Sequence, residues 1–274
     1  MISSPTNPTI KRLTLLHERR GRLQQGLFLV EGVRSVEEAL DAHGQPATVL
    51  VAPETLRATA RGRALYERLL RQQDIPALLE VTPGVLSRVS GAETPAGVVL
   101  ALPRMPVPDL ALLPRDRRLA LVLDGVADPG NAGTILRTAA AVGVDAVVAL
   151  AGCTDLYAPK VVRAAMGAHF RLPLMVDVTP AALAAWLPAR GVALLADAHA
   201  GATIYDVDLR GPTVLVVGGE AHGALHAEEL PSVRQVSIPM PGATESLNVA
   251  VATAVILFEV ARQRGYASGS DRAH

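Results

Sequence analysis

The chain has 274 residues and a net charge of zero, with 50% hydrophobic and 19% charged side chains, a balance that supports a sizeable core and excludes wholesale disorder. Aromatic residues make up only 3%, too few for a base-stacking platform or a carbohydrate-binding face, and the single cysteine, Cys153, excludes an intramolecular disulfide and a thiolate-rich zinc site. The N-terminus MISSPTNPTIKR has no signal-peptide core and no stretch of about 18 apolar residues avoids charge, so the expectation is a soluble cytoplasmic protein with no membrane partner.

Residues 1–34 carry six basic side chains (Lys11, Arg12, Arg19, Arg20, Arg22, Arg34) against Glu18 and Glu31, whereas residues 119–274 carry ten basic against fourteen acidic. Such a cationic head either docks on nucleic acid or is a solvated helix face. Downstream, LFLVEG (27–32) and VLVA (49–52) read as strands, 34–43 and 54–71 as helices, and GVVLAL (97–102) as a closing strand. The proline-rich LPRMPVPDLALLPRDRR (102–118) reads as a linker, dividing the chain into domains 1–103 and 118–274 around 104–117. Beyond it, strand-like runs at 119–126, 145–150, 172–176, 192–198, 213–220 and 236–239 alternate with helical patterns at 131–142, 159–167, 180–187 and 246–264. Near-continuous apolar strands joined by helices predict an α/β fold with a parallel sheet covered on both faces. The last helix is apolar nearly all round until Glu259, which predicts burial in the core or against a second subunit. The last residues, SGSDRAH, read as a frayed tail.

In an open α/β sheet, ligands bind beyond the carboxyl ends of the strands, and three segments with unusual polar and glycine content are expected there. In DGVADPGNAGTILRTAAAVG (124–143) a strand ends in a turn, a helix begins with Asn131 as a candidate cap, and Arg137 lies about one turn in. In VVGGEAHG (216–223) two glycines after a strand leave room for a flat ligand, with Glu220 at the rim. In IPMPGATESLNVAVA (238–252) a short strand leads to a helix for which Ser246 is a fair N-cap. Neither GxGxxG nor GxxxxGK[ST] is present, which removes support from a nicotinamide-dependent oxidoreductase or a common nucleoside-triphosphate site. Read singly, each segment is also what an ordinary turn, cap and surface side chain look like.

Taken together, NxGTILRTA, GGExxG and IPMxGxxESLNVAVA resemble, in order and spacing, the three motifs of the SpoU/TrmH family of RNA ribose 2′-O-methyltransferases in the SPOUT superfamily. SSPTNPTIKRLTLL, GLFLVEGVRSVEEAL and TPAGVVLAL are similar to that family's N-terminal substrate-binding domain, whose fold is like that of kink-turn-binding ribosomal proteins, and APKVVRAAMGAHFRLP also matches. The resemblance implies a trefoil-knotted catalytic domain, S-adenosylmethionine as cofactor, no metal, and a homodimer with the last helix at the interface. It implies cofactor binding through Gly218, Ile238 and Leu247, and a catalytic set of Arg137, Asn131, Glu220, Ser246 and Asn248 in which the polar residues orient Arg137 and line a ribose pocket. It places Lys11, Arg12, Arg19, Arg20, Arg22 and Arg34 against RNA phosphates, and Lys160, Arg163 and His169 toward the substrate. Ribosomal RNA is the expected substrate class. Transfer RNA and a non-catalytic RNA-binding role are the alternatives.

Overall fold

A computed structural model describes residues 1–42, 44–72, 75–105, 119–187, 191–220, 222–230, 233–242 and 244–265. The described residues divide into two compact units: residues up to 105 together with Asp155–Arg171, and residues 119–154 together with 172–265. Among them no helix is long and apolar enough to cross a membrane. The frayed tail expected at 268–274 lies outside the described residues.

The first unit opens with helices α1 (Pro8–Thr14) and α2 (Arg19–Gln25), which the charge pattern did not delimit. Their signals are local. Asn7 caps α1 by accepting the Thr9 N–H at 2.9 Å, and Pro8 occupies the first turn, where its missing N–H costs nothing. Then follow β1 (Leu27–Glu31), α3 (Val33–Asp41), β2 (Thr48–Val51), α4 (Pro53–Leu56), α5 (Ala60–Arg71), β3 (Leu78–Glu80), α6 (Pro83–Val89) and β4 (Val98–Pro103). The sheet order is β1-β4-β2-β3, antiparallel except for the β2–β3 pair. Ile10, Leu13 and Leu16 pack with Val85, Leu86 and Val89 against Leu29, Leu50, Val99 and Ala101 of the sheet. Of the expected linker, Arg104 donates its N–H to the Gly26 carbonyl and lies over the Tyr157 ring, while residues 106–117 lie outside the described residues.

In the second unit β5 (Leu119–Asp124) leads to α7 (Pro129–Val142) and β6 (Ala146–Leu150). The chain then contributes α8 (Pro159–Ala165) to the first unit and returns with β7 (Leu174–Val178), α9 (Pro180–Trp186), β8 (Val192–Ala196), β9 (Thr213–Gly218), β10 (Arg234–Val236) and α10 (Val249–Gln263). All six strands are parallel, in the order β10-β8-β9-β5-β6-β7. The order reverses beside β5, which places the carboxyl ends of β5 and β9 together: Asp124 stands in register with Gly218.

Three ion pairs hold the 155–171 segment within the first unit: Arg22 with Asp155, Arg163 with Glu31, and Arg171 with Glu38. Phe28 of β1 adds aromatic contacts to Tyr157, His169 and Phe170. This corrects two expectations for RNA contact, those for Arg22 and His169. Arg22 is 3% exposed and spends its donors on Asp155 and on the carbonyls of Leu16 and His17. Four of its five N–H groups are so engaged, and its burial keeps it from a phosphate. His169 is buried, its Nε2 2.7 Å from the Leu156 carbonyl oxygen that it serves as donor, whereas Arg163 donates one N–H to Glu31 and stays partly exposed.

The His169 Nδ1 has no partner, and burial lowers the imidazole pKa to about 4. Because the unfolded chain titrates near 6.5, stability is complete above that pH and falls between about 6.5 and 4, by on the order of 3 kcal/mol. Urea unfolding of the wild type should show this acid loss. His169→Gln, which stays neutral, should show a flatter profile over the same window.

Candidate active site

The motif at 124–143 forms the β5–α7 corner. Asp128, not Asn131, caps α7: its Oδ1 accepts the Asn131 N–H at 2.8 Å. The Asn131 side chain is thereby left free to act elsewhere. Its Nδ2 donates to Glu220 Oε1, and its Oδ1 accepts from Asn248 Nδ2 at 3.1 Å. Asn248 in turn caps α10, its Oδ1 receiving the N–H groups of Ala250 (2.9 Å) and Val251 (3.3 Å). The expectation of Ser246 as cap is corrected accordingly. The helix begins at Val249, three residues past Ser246. The outcome is a polar chain, Glu220–Asn131–Asn248, that ties the N-termini of α7 and α10 together. The dipoles of both helices make this region favourable to an anion.

Arg137 is exposed on α7, eight residues beyond Pro129, about 12 Å along the axis and so farther in than one turn. It forms no hydrogen bond or ion pair with another of the described residues, including Asn131, Glu220, Ser246 and Asn248. Its guanidinium is therefore available to a ligand.

A cavity of about 620 Å³ opens beyond the carboxyl ends of β8, β9 and β10. It is lined by Gly218, Glu220, Ile238, Ser246, Leu247 and Asn248, and by neither Asn131 nor Arg137. The structure adds Asp197 and His199 after β8, with Gln235 and Met240, to the wall. Sequence reasoning missed these because nothing in VALLADAHA distinguishes a cavity wall from a strand end. The two glycines of GGE line the cavity and are also required by close backbone packing. A Cβ on Gly218 would stand 2.2 Å from the Ala224 nitrogen, and one on Gly219 2.2 Å from the Gly125 carbonyl oxygen. They admit the backbone of Gly223 and Ala224 on one side and of Gly125 on the other, and thereby shape the cavity mouth.

The basic residues of the first unit divide. Lys11, Arg12, Arg19, Arg20 and Arg34 are exposed, although Arg12 also reaches Thr48 Oγ1 at 3.5 Å; Arg22, as above, is interior. Lys160 is exposed as well.

The cavity volume lies within the range of small-molecule sites. Its mixture of apolar side chains (Leu195, Val217, Ile238, Ile256) with the backbone of Gly218–Glu220 suits a cofactor that combines a flat nucleoside with a polar amino-acid tail, as S-adenosylmethionine does.

Comparison with known proteins identifies the same chemistry. Residues 118–258 match the SpoU rRNA Methylase family, and residues 7–100 match the MRM3-like substrate binding domain. A Synechocystis sp. protein named as an uncharacterized tRNA/rRNA methyltransferase is 37% identical over 97% of this chain and 95% of its own. The 23S rRNA (guanosine(2553)-2′-O)-methyltransferase RlmP of Bacillus subtilis is 33% identical over 94% of this chain and 98% of its own. The crystal structure of an AdoMet-bound rRNA methyltransferase from Sinorhizobium meliloti superposes with a TM-score of 0.81 at 29% identity, covering 95% of this chain and 97% of that one. With both domains matched, and the three motifs gathered around one cavity and its rim, the chain belongs to the SpoU rRNA methylase family.

Proposed function

We propose that the protein transfers a methyl group from S-adenosylmethionine to a ribose 2′-hydroxyl of RNA, with ribosomal RNA as substrate. The observation that carries this reading is the convergence of the three motif segments. Gly218, Ile238 and Leu247 line the cavity, and the Glu220–Asn131–Asn248 chain stands at its rim. The names of the Bacillus subtilis and Sinorhizobium meliloti relatives support ribosomal RNA, while that of the Synechocystis relative covers both RNA classes.

When bound, S-adenosylmethionine supplies a methyl group carried on a positively charged sulfur. The 2′-hydroxyl is a weak nucleophile, so this chain's residues must orient it and hold the charge that develops on its oxygen as the proton leaves. Guanidinium keeps its proton in proteins, so Arg137 acts as a donor rather than a base. It holds an RNA phosphate and stabilises the oxyanion, and the hydroxyl proton passes to water at the open mouth of the site. Asn131, fixed at both ends by Glu220 and Asn248, and Ser246, released from capping, line the ribose side.

The division of labour follows the same reading: residues 1–103 hold RNA, through Lys11, Arg12, Arg19, Arg20 and Arg34, and residues 118–274 carry the transfer. Phosphate contacts of that kind position RNA without reading its sequence. The family's trefoil knot is part of the proposal, supported by three parts of the chain, after β8 (195–199), after β9 (217–220 and 222–224) and before α10 (235–240 and 246–249), that close on one cavity. So is a cytoplasmic homodimer. Its support is a stripe on α10 where Val251 and Phe258, seven residues apart, are 50% and 47% exposed. The opposite face, with Ile256, Leu257 and Val260, is buried.

Purified protein, methyl-labelled S-adenosylmethionine and separate pools of ribosomal RNA, ribosomal subunits and transfer RNA test the proposal. Label at a ribose of ribosomal RNA is expected. Label confined to transfer RNA moves the substrate class. No label in any pool, together with no cofactor binding, leaves the RNA-binding alternative.

A further inference from the structure

The loop that carries Glu220 is held in place by a residue pair outside the motifs' recognised polar positions. Asp124, the last residue of β5, is completely buried, in a strand whose other residues are all apolar. A carboxylate in such a place needs donors. Both come from His226: its backbone N–H reaches Asp124 Oδ2 at 2.8 Å, and its ring Nδ1 lies 2.7 Å from Asp124 Oδ1. Since an ionised carboxylate only accepts, Nδ1 carries the hydrogen.

His226 stands at the foot of the loop that leaves β9 at Gly218. Two further anchors fix the same loop. Gly219 and Gly223 exchange hydrogen bonds of 2.9 and 3.0 Å across its neck. Leu225 lies over Gly125 and Gly152, where a Cβ on either glycine would stand 2.8 Å from its side chain. Between these anchors the loop presents Gly218, Gly219, Glu220, His222, Gly223 and Ala224 to the cavity.

We infer that Asp124 and His226 form a positioning clip for the cofactor loop. Neither residue lines the cavity; they act by fixing where the backbone of 218–220 and 222–224 and the Glu220 carboxylate stand. The inference rests on the reading of the cavity as the S-adenosylmethionine site.

The test compares His226→Ala, His226→Gln and His226→Asn in the full chain. Asparagine places an amide N–H where the ring has Nδ1, whereas glutamine places it one bond too far, at the Nε2 position. Two readouts are taken: calorimetric affinity for S-adenosylmethionine, and hydrogen exchange at the Gly219 and Gly223 amides without cofactor. Loss of a hydrogen bond to a buried charge weakens binding by about tenfold or more. The Ala and Gln variants should show that loss and faster exchange, and Asn should restore both to near the wild-type values. Wild-type affinity in the Gln variant, or an Asn variant as weak as Ala, overturns the clip. A wild type that does not bind S-adenosylmethionine refutes the assignment of the cavity instead, while the exchange comparison still decides whether the clip holds the loop.

Discussion

Arg137→Ala should lower the rate of methyl transfer by a factor of about 10² to 10³ and leave S-adenosylmethionine affinity unchanged, the loss typical of removing one preorganised donor from an oxyanion. The separation of the two effects follows from position. Arg137 is on α7, exposed and outside the cavity wall, so its removal leaves every cofactor-lining residue in place. Having no hydrogen bond or ion pair with another of the described residues, it also takes little fold stability with it. Arg137→Lys should recover only a small part of the activity, because an ammonium lacks the planar fork that grips phosphate at two points. Single-turnover rates with calorimetry on the same preparations check both statements. A variant that keeps more than a tenth of the wild-type rate, or that loses cofactor affinity in proportion, removes Arg137 from the role assigned to it.

The second large effect concerns stability. Arg22→Ala should destabilise the first unit by about 3–5 kcal/mol, since it leaves Asp155 and two backbone carbonyls without the donors that satisfy them. Arg20→Ala, two positions away and exposed, should stay within about 0.5 kcal/mol of wild type. The paired replacement Arg22→Met with Asp155→Leu should return part of the loss, because no unpaired charge then remains inside. Denaturant unfolding of the four proteins measures the series. RNA affinity should separate them in the opposite sense: on the proposed RNA contact, Arg20→Ala is expected to lower the salt dependence of binding and Arg22→Ala to leave it unchanged. Equal destabilisation by the two alanine substitutions would show that the Asp155 pair contributes nothing of its own.

Much of the architecture was legible in the residues because hydrophobic period and strand length are local properties. The run LALVLD, apolar up to its last residue, can only be a strand buried on both faces, and it became β5. The joint order of the three motifs pointed to the chemistry; Gly218, Glu220, Ile238, Ser246, Leu247 and Asn248 line one cavity and Asn131 joins them through Glu220 and Asn248, while Arg137 stands outside its wall. Local signals failed where two candidates competed for one task. Asp128 and Asn131 are both good caps for α7, and Ser246 and Asn248 are both good caps for α10. Reach decides between them: Asp128 stands directly before α7 and Asn248 directly before α10, whereas Asn131 lies inside α7 and Ser246 three residues short of Val249. Asn131 is claimed by Glu220, 89 residues away, and by Asn248, 117 residues away. Short elements were missed for a related reason. β3 spans only Leu78–Glu80 and is a strand because β2 pairs with it.

By itself, then, the sequence determined the alternation of strands and helices and the list of polar residues from which a site is built. Those features depend on neighbours within a few positions, where side-chain period, proline and glycine act directly. Only the tertiary structure decided that Arg22 lies inside while Arg20 lies outside, that residues 155–171 fold with the N-terminal unit, and that a buried Asp124 is answered by His226. Each of these turns on a partner more than a hundred residues distant. A charged side chain reads the same in sequence whether it meets water or a buried partner, and its surroundings settle which of the two it finds.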